Sequence, residues 1–245
     1  MGFHDHYDRL YAAKDHAGEA ACVIGLLGLR ARARLLEVGC GTGMHSRAFA
    51  GGGLEVTAVD TDAAMIARAR AAGIGADFHA LPVEDLDSRE FDGAAALFNV
   101  ANYIVRRDAL VSAFTGIARR LLPGAGFAFD CWNGVAVLAD PPRNEVRLVE
   151  SGGWRYEIEI SAEMDAMRQC ARIRNAVTAT GPGGVREAFG HDLLHRLWTP
   201  AELRDALMEA GFAETRFLRW MQPGHPATAA DWKVLVHARR PGGAS

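Results

Sequence analysis

The chain has only four cysteines. Cys22, Cys40, Cys131 and Cys170 are scattered and never fall into C-x-x-C spacing, so neither a disulfide framework nor a zinc site is expected. No basic block interleaves with aromatics and the formal net charge is only -3, which argues against a nucleic-acid partner. Arginine-rich spots such as Arg30, Arg32 and Arg34 read as a solvated helix end. No apolar run is long enough to span a bilayer, so no membrane partner is expected. The N-terminus, with His4, Asp5, His6 and Asp8, is too polar for a secretory leader, and the cytoplasm is the expected location. His4 and His6 lack further ligands at metal spacing, so no metal is expected and the terminus should be solvated and partly frayed. No internal repeat is visible.

What is present is a chain of 245 residues, 49% of them hydrophobic, enough for one large domain or one domain with an elaboration. Its organising stretch is Leu35-Leu36-Glu37-Val38-Gly39-Cys40-Gly41-Thr42-Gly43. The apolar start reads as a buried strand, the three alternate glycines as a tight turn, and residues 44–50 as a helix stopped by Gly51, Gly52 and Gly53. A strand, glycine turn and helix in that order make a ligand seat at the carboxyl end of a sheet. Glycine permits positive φ and lets a ligand touch bare backbone, while the helix start offers free N–H groups. A second strand, 54–59, ends at Asp60, about 20 residues past the first glycine, where a ribose is usually gripped through its hydroxyls. A dinucleotide site wants G-x-G-x-x-G, and here the third glycine comes one place early.

This pattern resembles motif I, E/D-x-G-x-G-x-G, of the class I S-adenosylmethionine-dependent methyltransferases. The resemblance implies S-adenosylmethionine as cofactor. Glu37 would lie near its methionine end, Gly39, Cys40 and Gly41 would pass beneath it, Asp60 would hold the ribose, and Thr61 would lie beside the adenosine. Met65 would pack on the adenine, although its helical spacing with Ile66 and Ala69 suits a core position equally. Relatives often carry an acid after the third strand to read the adenine. Here Leu81-Pro82-Val83 stands there, so backbone contacts at Leu81 and Val83 are the candidates, with Glu84 and Asp85 slightly later.

Residues 3–16 resemble the N-terminal stretch of small-molecule methyltransferases that include sugar N,N-dimethyltransferases, where a lid folds over the ligand. Tyr7 and Tyr11 would then cover cofactor and substrate; an amphipathic helix packed on the sheet is the alternative. Phe98-Asn99-Val100-Ala101-Asn102-Tyr103 resembles motif IV, which faces both cofactor and acceptor. Phe98 becomes a cofactor contact and Tyr103 an orienting or proton-handling group, or simply a packed ring. Asp130, Trp132 and Asn133 emerge at the carboxyl end of strand five, 127–129, after a Pro123-Gly124 turn, and are acceptor-site candidates, with a buried tryptophan as the alternative for Trp132. Alternating runs from 145 to 191, broken at Ser151-Gly152-Gly153 and Gly181-Pro182-Gly183-Gly184, read as an antiparallel meander. In the family it roofs the site, binds the acceptor or makes a dimer contact, hence an expected homodimer. At its return, His195 is a candidate base and Arg196 a candidate anion clamp, with a solvated strand face as the alternative for both.

The expected fold is α/β, a Rossmann-like seven-stranded methyltransferase sheet with helices on both faces plus the inserted meander. The expected divisions are a lid at 1–34, a cofactor core at 35–134, the insertion at 135–196, and a closing helix and β-hairpin at 197–245, with Pro223 to Pro226 as the hairpin loop and a disordered tail. The implied activity is methyl transfer to a polar small molecule, foremost the amine of an amino-sugar nucleotide. O-methylation of a sugar or natural product is the alternative within that class. A nicotinamide dehydrogenase and a catalytically silent cofactor-binding module are the alternatives outside it.

Overall fold

A computed structural model describes residues 2–87 and 90–243. The chain opens with α1 (Phe3–Leu10) and α2 (His16–Leu27), then β1 (Arg34–Val38), α3 (Met44–Gly51), β2 (Glu55–Asp60), α4 (Ala63–Ala71) and β3 (Ala76–Ala80). After a short 3-10 turn come β4 (Phe91–Ala96), α5 (Val100–Tyr103), α6 (Arg107–Arg120), β5 (Leu121–Trp132) and α7 (Gly134–Ala139). Four long strands follow, β6 (Glu145–Ser151), β7 (Trp154–Asp165), β8 (Cys170–Thr180) and β9 (Arg186–Arg196). The chain closes with α8 (Pro200–Glu209), β10 (Glu214–Arg219), β11 (Gln222–Pro226) and β12 (Lys233–Arg239).

The main sheet runs β11-β10-β12-β5-β4-β1-β2-β3. The five strands from β5 to β3 are parallel, and β12, β10 and β11 add on antiparallel. Alternation along each strand sends neighbours to opposite faces. Phe127 and Phe129 pack with Leu110 and Ile117 of α6 and Leu207 of α8. Leu35, Ala58 and Ala128 pack with Val23 of α2, Phe49 of α3 and Ile66 of α4. Local capping signals act at several joints. Asp62 caps α4 by accepting from the N–H groups of Ala64 and Met65, and Thr199 and Glu202 form a capping box on α8 behind Pro200.

The sheet has eight strands, not the seven expected. The additional one is β11, on residues read as a loop because of Pro223, Gly224 and Pro226. It pairs only at Leu218 with Pro226 and at Arg219 with Gln222, across a register shift. An edge strand needs hydrogen bonds on one side alone, so prolines are tolerated there. Strand five is also longer than expected: β5 begins at Leu121, and Gly124 with φ +78 bends it instead of ending the helix before it. Arg106 occupies the N-cap of α6. Residues 244 and 245 of the tail lie outside the described residues, and Pro241 accepts a hydrogen bond from the Gly124 N–H.

The second sheet is an antiparallel meander, β6-β7-β8-β9. Tyr156, Ile158 and Val177 of its inner face pack on Leu10 and Phe3 of α1. Residues 3–10 are therefore a helix packed on the meander, not a frayed terminus. His6 is fully buried, bonded to the Tyr156 hydroxyl at 3.0 Å and Glu187 at 3.1 Å, and stacked on Phe189. The meander supplies the apolar face that α1 lacks in the sequence. Among the described residues no helix is long and apolar enough to cross a membrane.

Candidate active site

The glycine turn between β1 and α3 is built on left-handed backbone, with φ +70 at Gly39, +55 at Gly41 and +81 at Gly43. The Gly39 and Cys40 N–H groups both donate to the Val59 carbonyl, which ties the turn to β2. A Cβ on Gly39 would lie 2.6 Å from Val100, whereas one on Gly41 would meet nothing nearer than the Tyr7 hydroxyl at 4.0 Å. Gly41 thus presents open backbone to a cavity of 520 Å³, within the range of small-molecule sites. Its N–H donates to Asp60 Oδ2 at 2.8 Å, and Asp62 N–H donates to Oδ1 at 2.9 Å. The carboxylate is fixed at the end of β2 with lone pairs left for further donors.

The ends of β2, β3 and β4 make the cavity walls. Thr61 and Met65 stand on one side, Leu81 and Val83 follow β3, and Phe98 follows β4. Tyr7 and Tyr11 cover the mouth, their rings 4.9 Å apart, with Tyr11 edge-on to Phe98 at 5.0 Å. Helix α1 is pinned down from several sides: Asp5 pairs with Arg68, His4 with Asp62 at 2.9 Å, and Thr42 donates to Asp8 at 2.5 Å. From the other sheet, His191 and Leu193 of β9 reach the same cavity, and His191 stacks on Phe3 at 4.0 Å.

Residues 35–124 match a family described as a methyltransferase domain. That stretch of the chain is thus similar to methyltransferase domains. A dTDP-3-amino-3,4,6-trideoxy-alpha-D-glucopyranose N,N-dimethyltransferase of Streptomyces venezuelae is 28% identical over 133 residues, 52% of this chain and 56% of that protein. The chain spans about half the length of the curated relatives it matches. The crystal structure of Streptomyces venezuelae DesVI superposes with a TM-score of 0.83 at 22% identity, covering 99% of each chain. That of CalS10 with S-adenosylmethionine bound, an amino pentose methyltransferase from Micromonospora echinaspora, does so at 0.76 and 24% identity, covering 96% of each. At these identities the structural likeness is one of fold.

Burial favours the neutral form of the titratable groups in and behind the cavity. Glu37, at the end of β1, is 2% exposed, accepts from Ser46 Oγ at 2.5 Å, and is pushed up to about 8 by burial and then by Asp60. Burial likewise raises Tyr7, Tyr11 and Tyr103, so these phenols stay protonated and can orient a ligand but not remove its proton. His195 is 3% exposed, lies 4.9 Å from the Tyr103 ring and 4.4 Å from Trp132, and has no hydrogen-bond partner at either ring nitrogen. Burial pushes it down to about 4, which makes the neutral imidazole a weak base. Among the described residues no group of three His, Cys, Asp or Glu side chains is placed to hold a metal.

Of the residues singled out in the sequence, Tyr7, Tyr11, Gly39, Gly41, Asp60, Thr61, Met65, Leu81, Val83, Phe98 and Tyr103 border the cavity. The others stand behind it. Glu37 and Cys40 are buried under the turn, and burial raises the Cys40 thiol. Trp132 lies between His195 and Trp232. Asn133 accepts from Val135 N–H and donates to the Thr228 and Asp231 carbonyls, which caps α7. The Arg196 guanidinium is committed to Glu202 at 2.8 Å and Gln169 at 2.6 Å over the Trp198 ring, so it is not free to clamp an anion in the cavity. Glu84 does border the cavity, and Ser112 donates to its carboxylate at 3.1 Å. Phe3, His191 and Leu193 carried no motif, yet period-2 reading of β9 groups His191 and Leu193 with His195 on one face.

Proposed function

We propose that this protein transfers a methyl group from S-adenosylmethionine to a polar small molecule, with the amine of an amino-sugar nucleotide as the leading acceptor. The observation that carries the reading is the open Gly41 backbone beside a fixed Asp60 carboxylate in a cavity of small-ligand size. The residues fit the cofactor: the glycine turn leaves space that a Cβ would occupy, and Asp60 keeps acceptor capacity for ribose hydroxyls. Gly39, Gly41, Asp60, Thr61, Met65, Leu81, Val83 and Phe98 would hold it. When bound, it supplies a methyl group made reactive by a positively charged sulfur.

The chain's own work is then alignment and exclusion of water. Tyr7 and Tyr11 close the mouth, and the protonated Tyr103 hydroxyl orients the acceptor. With protonated phenols and a weakly basic His195, the amine must arrive neutral and the product's proton leaves to solvent. The amino-sugar acceptor is supported by the Streptomyces venezuelae relative, whose name specifies one.

Calorimetric titration with S-adenosylmethionine and with NAD, on the wild type and on Asp60→Ala, tests the reading. S-adenosylmethionine should bind and NAD should not. The variant should lose about 10- to 100-fold in affinity, the ~1–3 kcal/mol of hydrogen bonds to a charged group. NAD binding, or an unaffected Asp60→Ala, would replace this function. A panel of amines and hydroxyl-only sugars then separates N- from O-methylation.

A further inference from the structure

The backbone between β4 and α5 is left-handed at two successive residues that are not glycine, with φ +76 at Phe98 and +62 at Asn99. A bulky residue there is a steric outlier, and such geometry persists only where its surroundings impose it. Asparagine often tolerates the region through a local side-chain hydrogen bond. Here the Asn99 side-chain oxygen is buried without a partner, so that compensation is missing.

What holds the turn is the Asn99 N–H, which donates to Asp130 Oδ1 at 3.1 Å. Asp130 is fully buried on β5, the strand paired with β4. Its other oxygen lies 2.5 Å from Lys233 Nζ, and that ammonium sits 3.7 Å from the Trp220 ring centre. Lys233 comes from β12, the strand on the other side of β5. A buried carboxylate needs such a cation to remain charged. Three neighbouring strands therefore converge on one backbone N–H.

We propose that Asp130 and Lys233 are positioning residues for the reaction inferred above: they hold the left-handed elbow at Phe98 and Asn99 from which Phe98 and Tyr103 enter the cavity. The role rests on that functional reading. It differs from acceptor binding, since Asp130 has no surface to offer a ligand. Asn102, also in α5, reinforces the arrangement by accepting from Trp132 N–H and donating to the Arg196 carbonyl, both at 2.8 Å.

The test uses Asp130→Leu with Lys233→Met, which removes both charges together and leaves neither one buried alone. Two quantities are read: amide hydrogen exchange at Asn99, and calorimetric affinity for S-adenosylhomocysteine. The Asn99 amide should be protected in the wild type and exchange at least 100-fold faster in the double variant, with affinity reduced tenfold or more. Adding Asn99→Gly should recover most of that affinity, because glycine takes the left-handed conformation without steric cost. A double variant with protected amide and wild-type affinity overturns the proposal, as does a loss that glycine does not recover. If the double variant does not fold, Asp130→Asn retains an oxygen for the Asn99 N–H and should keep it protected; rapid exchange there overturns the proposal. If the wild type binds neither S-adenosylmethionine nor its product, the functional reading fails, while the exchange measurement still decides the elbow.

Discussion

The two ends of the cavity are made in different ways. The end at β1 and β2 is mostly backbone: left-handed glycines, N–H groups tied to Val59 and Asp60, and one carboxylate at a strand terminus. At the end near β4, β5 and β9 side chains dominate: Tyr103 borders the cavity, and the His195 ring lies behind it between Tyr103 and Trp132. Under the proposed function, the backbone seat suits the cofactor and the side-chain end suits the acceptor. The same division appears in the buried charges. Glu37 at the first end and His195 at the second are both kept neutral by burial, but one is an acid and the other a base, so their pH signatures oppose each other.

The largest expected effects break that symmetry. Burial pushes the Glu37 carboxyl up to about 8, against about 4.5 for an ordinary glutamate. The folded state therefore holds a proton that the unfolded state has lost, and stability falls as pH rises from about 4.5 to 8. At ~1.4 kcal/mol per unit, Glu37→Gln should recover at most about 5 kcal/mol at pH 9 and nothing at pH 4. Urea melts across that range measure it, and a wild type whose relative stability does not fall toward pH 9 would contradict the buried neutral acid. His195 has a folded pKa of about 4 against 6.5, so its contribution is lost as pH falls through that window. His195→Gln should flatten the acid limb by at most about 3 kcal/mol while leaving the alkaline limb in place. Equal shifts in both limbs would mean that the two ends unfold as one electrostatic unit.

Gly39→Ala sharpens the contrast from the backbone side. The added methyl meets Val100 at 2.6 Å on a residue at φ +70, so destabilisation of about 3 kcal/mol is expected from strain and overpacking together. Cofactor affinity should fall with it, and a thermal melt paired with calorimetry reads both. Tyr103→Phe should have the smallest effect. Its ring packing survives, the cofactor still binds, and kcat/KM for the acceptor drops about tenfold, the ~1.4 kcal/mol of one orienting hydrogen bond. A change in cofactor affinity instead would place Tyr103 at the wrong end of the cavity.

The backbone end was legible in the sequence because each of its parts is local. Gly39, Gly41 and Gly43 mark positive φ by their identity, Asp60 closes a strand at a fixed distance, and Asp62 and Thr199 announce helix starts. The side-chain end was legible only in part. His195 and Tyr103 were visible as chemistry, but nothing local revealed that His195 would lose every polar partner or that burial would weaken it as a base. Arg196 looked like an anion clamp, and its commitment to Glu202 and Gln169 depends on where β8 and α8 begin. Asp130 looked like a ligand contact, and its bond to Asn99 exists only because β4 and β5 are paired.

The sequence by itself thus determined the glycine turn, the acid that closes the second strand, the order of strands and helices in the core, and the presence of a meander. These follow from conformational preferences and periodicities that act over a few residues. Only the tertiary structure decided that α1 is clamped under that meander through His6, that β11 forms on a proline-bearing edge, and that Phe98 and Asn99 take a strained turn. Each of these depends on burial and on hydrogen-bond partners supplied by distant segments, and a chain cannot express such partners until it has folded.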